Sequence, residues 1–144
     1  MAATLMLVDD DAQVAEMFGE ALTEAGFVVD VFTTGIEALN SCIDCRYAMV
    51  IADVNMPDID GISLLQMIRA QRPNMPYIII SGGGAPSHEV VADADAFVQK
   101  IDGPFNLVRK VRYVLSVKGT EAGSSQLTPA LKDEVSGKSD SLPG

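Results

Sequence analysis

Five short, almost wholly apolar runs recur along this chain, and nearly every one is followed by a stretch whose apolar residues return at helical spacing. Leu5-Met6-Leu7-Val8 is apolar at every position, as a strand covered on both faces must be. Asp11 is placed to cap a following helix, which carries Val14, Phe18 and Leu22 at helical spacing and ends near Gly26. Residues 27–32 are rich in β-branched side chains and read as a second strand. Thr34 or Gly35 opens a second helix through Ala38, Leu39 and Cys42. Residues 48–52 form a third strand that runs into Asp53. Residues 61–72 form a third helix, with Ile62, Leu65 and Ile68 on one face and Pro73 just beyond its end. Residues 77–80 are a fourth strand, stopped by Ser81 and three glycines. A short helix over 86–92 and a fifth strand over 96–99 follow. The last helix, 105–117, shows an apolar stripe of Leu107, Val108, Val111, Val114 and Leu115.

Strict alternation of strand and helix predicts an α/β fold: a doubly wound parallel sheet of five strands, flanked on both faces by five helices in a three-layer sandwich. Such sheets bind ligands outside the carboxyl ends of their strands. Asp9 and Asp10 follow the first apolar run, Asp53 the third, Ser81 the fourth and Lys100 the fifth, so the fold gathers them at one edge. Three carboxylates suit a hard divalent cation, which takes oxygen ligands in octahedral geometry. Asp10, Asp53 and a backbone carbonyl just after Asp53 can supply three of them. A hydroxyl and an ammonium suit the oxygens of a phosphoryl group. This is the minimum set for moving a phosphoryl group onto a carboxylate.

The remaining features narrow the setting. The length of 144 residues fits one domain. No apolar run reaches membrane-spanning length, and the opening residues carry no basic region of a signal peptide, so a cytoplasmic protein is expected. The net charge of −10 disfavours direct nucleic-acid binding. The charge is uneven: residues 1–99 carry three Arg against fifteen Asp or Glu, whereas 100–118 carry five Lys or Arg against one Asp. A basic last helix on an acidic body reads as a solvated face, with docking as the alternative. Cys42 and Cys45 form a C-x-x-C near a helix end, without a second pair or a nearby histidine to complete a metal site. Two ordinary small apolar residues are expected there. From Gly119 the composition turns polar and linker-like, so residues 1–118 are expected to form the domain and 119–144 a flexible polar tail or linker.

The chain resembles the receiver domains of two-component response regulators. The resemblance covers roughly residues 4–118 and is carried by Val8-Asp9-Asp10-Asp11, by Asp53 through Met56-Pro57 to Asp60-Gly61, by Ile80-Ser81-Gly82, by Phe97-Val98-Gln99-Lys100 and by Pro104-Phe105. It implies a flavodoxin-like sheet in the order 2-1-3-4-5. It implies Asp53 as phosphoacceptor, and Mg²⁺ (or Mn²⁺) bound by Asp10, Asp53 and the Asn55 carbonyl, with Asp9 assisting. Ser81 would hydrogen-bond the phosphoryl group, Lys100 would pair with it, and Phe97 matches the family's switch aromatic. The implied partners are a sensor histidine kinase or histidine phosphotransfer protein, and a downstream protein that reads the face of the fourth helix, fifth strand and fifth helix. No membrane partner is implied, and a homodimer is left open.

Two departures fall on the output side. Ile101-Asp102-Gly103 intervene between Lys100 and Pro104, where the family has proline directly after the lysine. The segment from Ser81 to Phe97 is short, which trims the fourth helix, and Gly82-Gly83-Gly84 predicts a mobile loop. Two rival readings stand against the receiver. A haloacid-dehalogenase-like phosphatase would share Asp9-x-Asp11, Ser81 and Lys100, but that family needs a further acidic pair after the lysine, and only Asp102 lies near. A receiver-like binding module that is never phosphorylated would not need the acid pair or Asp53. No output domain is read after residue 118, which leaves open a stand-alone protein, a relay intermediate or a piece of a larger regulator.

Overall fold

A computed structural model describes residues 2–42, 46–83 and 93–119. The strands are β1 (Thr4–Val8), β2 (Val28–Phe32), β3 (Met49–Asp53), β4 (Tyr77–Ser81) and β5 (Ala96–Gln99). The α-helices among the described residues are α1 (Ala12–Glu24), α2 (Gly35–Ser41), α3 (Gly61–Gln71) and α4 (Pro104–Val114). All strands pair in parallel, in the order β2-β1-β3-β4-β5. The expected topology is therefore the observed one. The helix expected over 86–92 lies outside the described residues, as do Gly84, Cys45, His88 and the tail beyond Gly119.

The apolar runs are continuous because each central strand feeds two cores. Leu5, Leu7, Met49, Ile51, Ile78, Ile80 and Val98 face α1 and α4, where Phe18, Leu22, Leu107 and Val111 meet them. Their neighbours Met6, Val8, Val50, Ala52, Tyr77 and Ile79 face α2 and α3, against Ala38, Leu64, Leu65 and Ile68. Burying one such side chain contributes roughly 1.5–3 kcal/mol. The edge strand β2 is less covered, and Val28 and Val31 are exposed. Cys42 is the buried cap at the end of α2, and burial pushes its thiol up, as a small core residue requires.

Two boundaries differ from the sequence reading in ways that matter. Asp53 and Ser81 are the last residues of β3 and β4 rather than the first of their loops, and they pair with Ile80 and Gln99. The ladder itself therefore fixes their backbones. The last helix starts at Pro104 and ends at Val114, followed by a π turn over Leu115–Gly119. Among the described residues, no helix is long and apolar enough to cross a membrane.

Candidate functional site

β1 and β3 are neighbours in the sheet, so the chain leaves both at the same edge. Asp9 is fully buried there, and its backbone N–H continues the ladder to Phe32 O at 3.0 Å. Its Oδ1 accepts the Asp11 N–H at 2.9 Å. Asp10 is exposed. Asp11 turns away and caps α1, accepting from Gln13 N at 3.0 Å and Val14 N at 3.3 Å. Asp53 is buried, and its Oδ1 accepts the Asn55 N–H at 3.3 Å. One carboxylate oxygen from each of Asp9, Asp10 and Asp53 can be chosen so that all three lie within 4.8 Å of one another.

Lys100 reaches this corner from β5. Its Nζ donates to Asp53 Oδ2 at 3.1 Å and lies 2.9 Å from Asp9 Oδ2. The second approach is an ion pair, and among the described residues this buried Asp9 oxygen has no further donor. Burial pushes the Asp9 carboxyl above its ordinary value of 3.8; the Lys100 ammonium and the Asp11 amide offset this only in part, and the Asp53 charge adds to it. Burial alone would lower the Lys100 ammonium, but its contacts with Asp9 and Asp53 outweigh that and hold it raised. Two buried carboxylates thus share one ammonium, with the exposed Asp10 carboxylate beside them. An all-oxygen set with excess negative charge fits a hard divalent cation.

The inserted residues leave Lys100 in place. Lys100–Asp102 form a single 3₁₀ turn, closed by Gly103 N donating to Lys100 O at 3.1 Å. Gly103 has φ +89°, which only glycine adopts readily, and it hands the chain to Pro104 at the first position of α4. All peptide bonds among the described residues are trans, that before Pro104 included. The Lys100 stem passes over Gly82, where an added Cβ would lie 3.5 Å from Lys100 Cδ.

Ser81 is buried at the end of β4, in register with the residue before Lys100, and its hydroxyl donates to Gly83 O at 2.9 Å. Phe97 lies on β5 opposite Ile79, partly buried against the α2–α3 core. The structure therefore brings Asp9, Asp10, Asp53 and Lys100 into one corner, places Ser81 on the adjacent strand end, and puts Asn55 in the loop just after Asp53.

Sequence reasoning passed over the supports of that loop. Asp60 caps α3, accepting from Ser63 N at 2.8 Å, which an aspartate just before Gly61 could have signalled. The Tyr77 hydroxyl donates to Gly61 O at 2.9 Å, and Asp58 accepts from Gly35 N and Ile36 N. These last contacts span 16 to 23 residues and leave no local signature.

Comparison with known proteins agrees with this geometry. A family profile described as "Response regulator receiver domain" matches residues 5–112. The chain is 31% identical over 129 residues to a probable transcriptional regulatory protein, SilR, of Salmonella typhimurium, covering 88% of this chain and 57% of that protein. It is 30% identical over 114 residues to the transcriptional regulatory protein CusR of Escherichia coli K12, covering 77% of this chain and 50% of that protein. The chain thus spans about half the length of these curated relatives. A CheY-like response regulator receiver domain from Methanospirillum hungatei superimposes with a TM-score of 0.77 at 26% identity, over 84% of this chain and 99% of that one. A response regulator from Chloroflexus aurantiacus gives 0.74 at 31% identity, over 81% and 99%. Profile, relatives, strand order and acidic corner agree: the chain belongs to the response regulator receiver domain family, a signalling domain rather than a turnover enzyme.

Proposed function

We propose that Asp53 accepts a phosphoryl group from a histidine kinase or a histidine phosphotransfer protein, and that the resulting aspartyl phosphate changes the surface this domain offers to a downstream protein. The observation that carries this reading is the Lys100 ammonium, 3.1 Å from Asp53 Oδ2 and 2.9 Å from the buried Asp9 Oδ2, at a corner where the Asp9, Asp10 and Asp53 carboxylates converge. Asp9, Asp10, Asp53 and the Asn55 carbonyl are the residues to hold Mg²⁺ or Mn²⁺, which when bound supplies positive charge against the phosphoryl oxygens. An Asp53 carboxylate oxygen attacks phosphorus. A P–O bond forms, the P–N bond to the donor imidazole breaks, and its electron pair leaves with the imidazole. Burial excludes water from one side of Asp53, and Lys100 balances the charge that develops on the transferring group.

The product carries roughly −1.5 to −2 of charge if it titrates like other phosphoryl groups. Such a charge draws the Ser81 hydroxyl away from Gly83 O, and Phe97, two strand positions before Gln99, turns into the space released. That repositions the face of β5 and the last helix, which is a population shift biased by new charge-assisted bonds. The domain acts by protein contact in the cytoplasm and does not itself bind nucleic acid. The relatives named as transcriptional regulators extend well beyond the half of their length that this chain matches.

Chemical lability tests the reading. After incubation with Mg²⁺ and a small phosphodonor, the phosphorylated protein should lose its phosphate to hydroxylamine, as an acyl phosphate does. A phosphate that survives hydroxylamine would place the modification on Ser81 or another hydroxyl and overturn the assignment.

A further inference from the structure

The loop that leaves Asp53 and enters α3 is tied down at two places. At its far end Gly61 N donates to Val54 O at 3.1 Å, and the Tyr77 hydroxyl holds Gly61 O. In its middle, Asp58 Oδ1 accepts the Gly35 N–H at 3.1 Å and Oδ2 accepts the Ile36 N–H at 2.9 Å. Those are first-turn amides of α2, which have no acceptor within their own helix. Thr34 satisfies the next one, accepting from Glu37 N at 3.2 Å. Ile59 closes the same contact: an added Cβ on Gly35 would lie 2.9 Å from Ile59 Cβ. Asn55 and Met56 lie between Asp53 and this anchor, with Met56 packed against the α2–α3 core.

A charged carboxylate on two amide donors is a stronger tie than a neutral one. Asp58 is exposed, so core packing does not account for its position. Its geometry is that of a cap, but the helix it caps is not its own. The loop is therefore fixed relative to α2 by one side chain, and Asp53 and α3 fix it from the other direction.

We propose that Asp58 is a positioning residue for the phosphoacceptor loop: by binding the Gly35 and Ile36 amides it holds the Asn55 backbone beside Asp53 and so strengthens cation binding at the acidic corner. This rests on the reading of Asp9, Asp10 and Asp53 as a cation site. Residues that orient metal ligands change affinity by about 10- to 100-fold when removed.

The test titrates the full chain with Mn²⁺ and reads the free ion by electron paramagnetic resonance, with a urea unfolding curve for each variant. Asp58→Ala should bind Mn²⁺ about tenfold more weakly, the lower end of that range. Asp58→Asn keeps one acceptor oxygen and should lose roughly threefold, consistent with a weaker neutral hydrogen bond. A cooperatively folded Asp58→Ala that binds within about twofold of wild type, while Asp10→Asn loses binding, overturns the positioning role and leaves the cation site standing. An Asp10→Asn protein that binds as wild type does overturns the cation site and this proposal with it. Should Asp58→Ala not unfold cooperatively, Asp58→Asn decides, and unchanged affinity there overturns the proposal.

Discussion

Gly61 leaves no room for a side chain against Asp53: a Cβ built on it would lie 2.4 Å from the Asp53 carbonyl oxygen. The first residue of α3 is thus pressed onto the end of β3, and the loop between them leaves and returns at the same point, where Gly61 N donates to Val54 O. Gly61→Ala must push α3 away from that carbonyl. Overpacking of this kind costs about 1–3 kcal/mol. The expected outcome is a lower urea midpoint together with slower phosphorylation, because the loop carrying Asn55 moves with α3. Unchanged stability would show that the approach relaxes without effort.

Lys100 is the only cation within ion-pairing distance of Asp9 and Asp53 among the described residues. Lys100→Met leaves a fully buried carboxylate facing a second one. At neutral pH the cost should be about 1–3 kcal/mol, the range for stranding a buried polar group and below that for a fully buried ion pair. Equilibrium unfolding without divalent metal reads this directly, and added Mg²⁺ should recover part of the loss. A variant as stable as wild type would contradict a stabilising role for Lys100 at this corner.

The pH dependence of the Asp58 anchor has a defined sign. Its carboxyl lies below the ordinary 3.8, chiefly because it accepts the Ile36 amide. A depressed carboxyl contributes stability that is present above its unfolded value and is lost as pH falls through its folded one. The stability difference between wild type and Asp58→Asn should therefore be constant from about pH 5 to 8 and close below about pH 4. Urea unfolding at a series of pH values checks it. A difference that closes as pH rises would contradict the anchor.

Much of this was legible in the sequence, for a physical reason. Strands covered on both faces have no polar positions, so Leu5–Val8, Met49–Ala52 and Tyr77–Ile80 announce themselves, and their ends place Asp9, Asp53 and Ser81. Lys100 follows from the same logic, although the turn that carries Ile101-Asp102-Gly103 does not. The division of labour between the two acids was not legible. Adjacent aspartates look alike in sequence, yet Asp9 is buried in the ladder and Asp10 is in solvent. Contacts between distant elements were equally silent. Asp95 accepts from both Tyr77 N and Arg69, each at 2.9 Å, and pairs with Lys118 at 3.2 Å, but nothing local to Asp95 distinguishes it from a loop aspartate.

Cation binding should also register as stability. A ligand that binds only the folded state at 100 times its dissociation constant adds about 2.7 kcal/mol. Mg²⁺ should raise the unfolding midpoint of wild type in a saturable way and leave Asp10→Asn largely unmoved. Equal shifts in both proteins would indicate a general salt effect rather than a site.

Intact mass spectrometry after incubation with a small phosphodonor and Mg²⁺, run in parallel on wild type and Asp53→Asn, tests the central claim most directly. One phosphoryl group on wild type, none on Asp53→Asn and none on either protein without the metal is the predicted result. A phosphoryl group on Asp53→Asn in the same yield would contradict it.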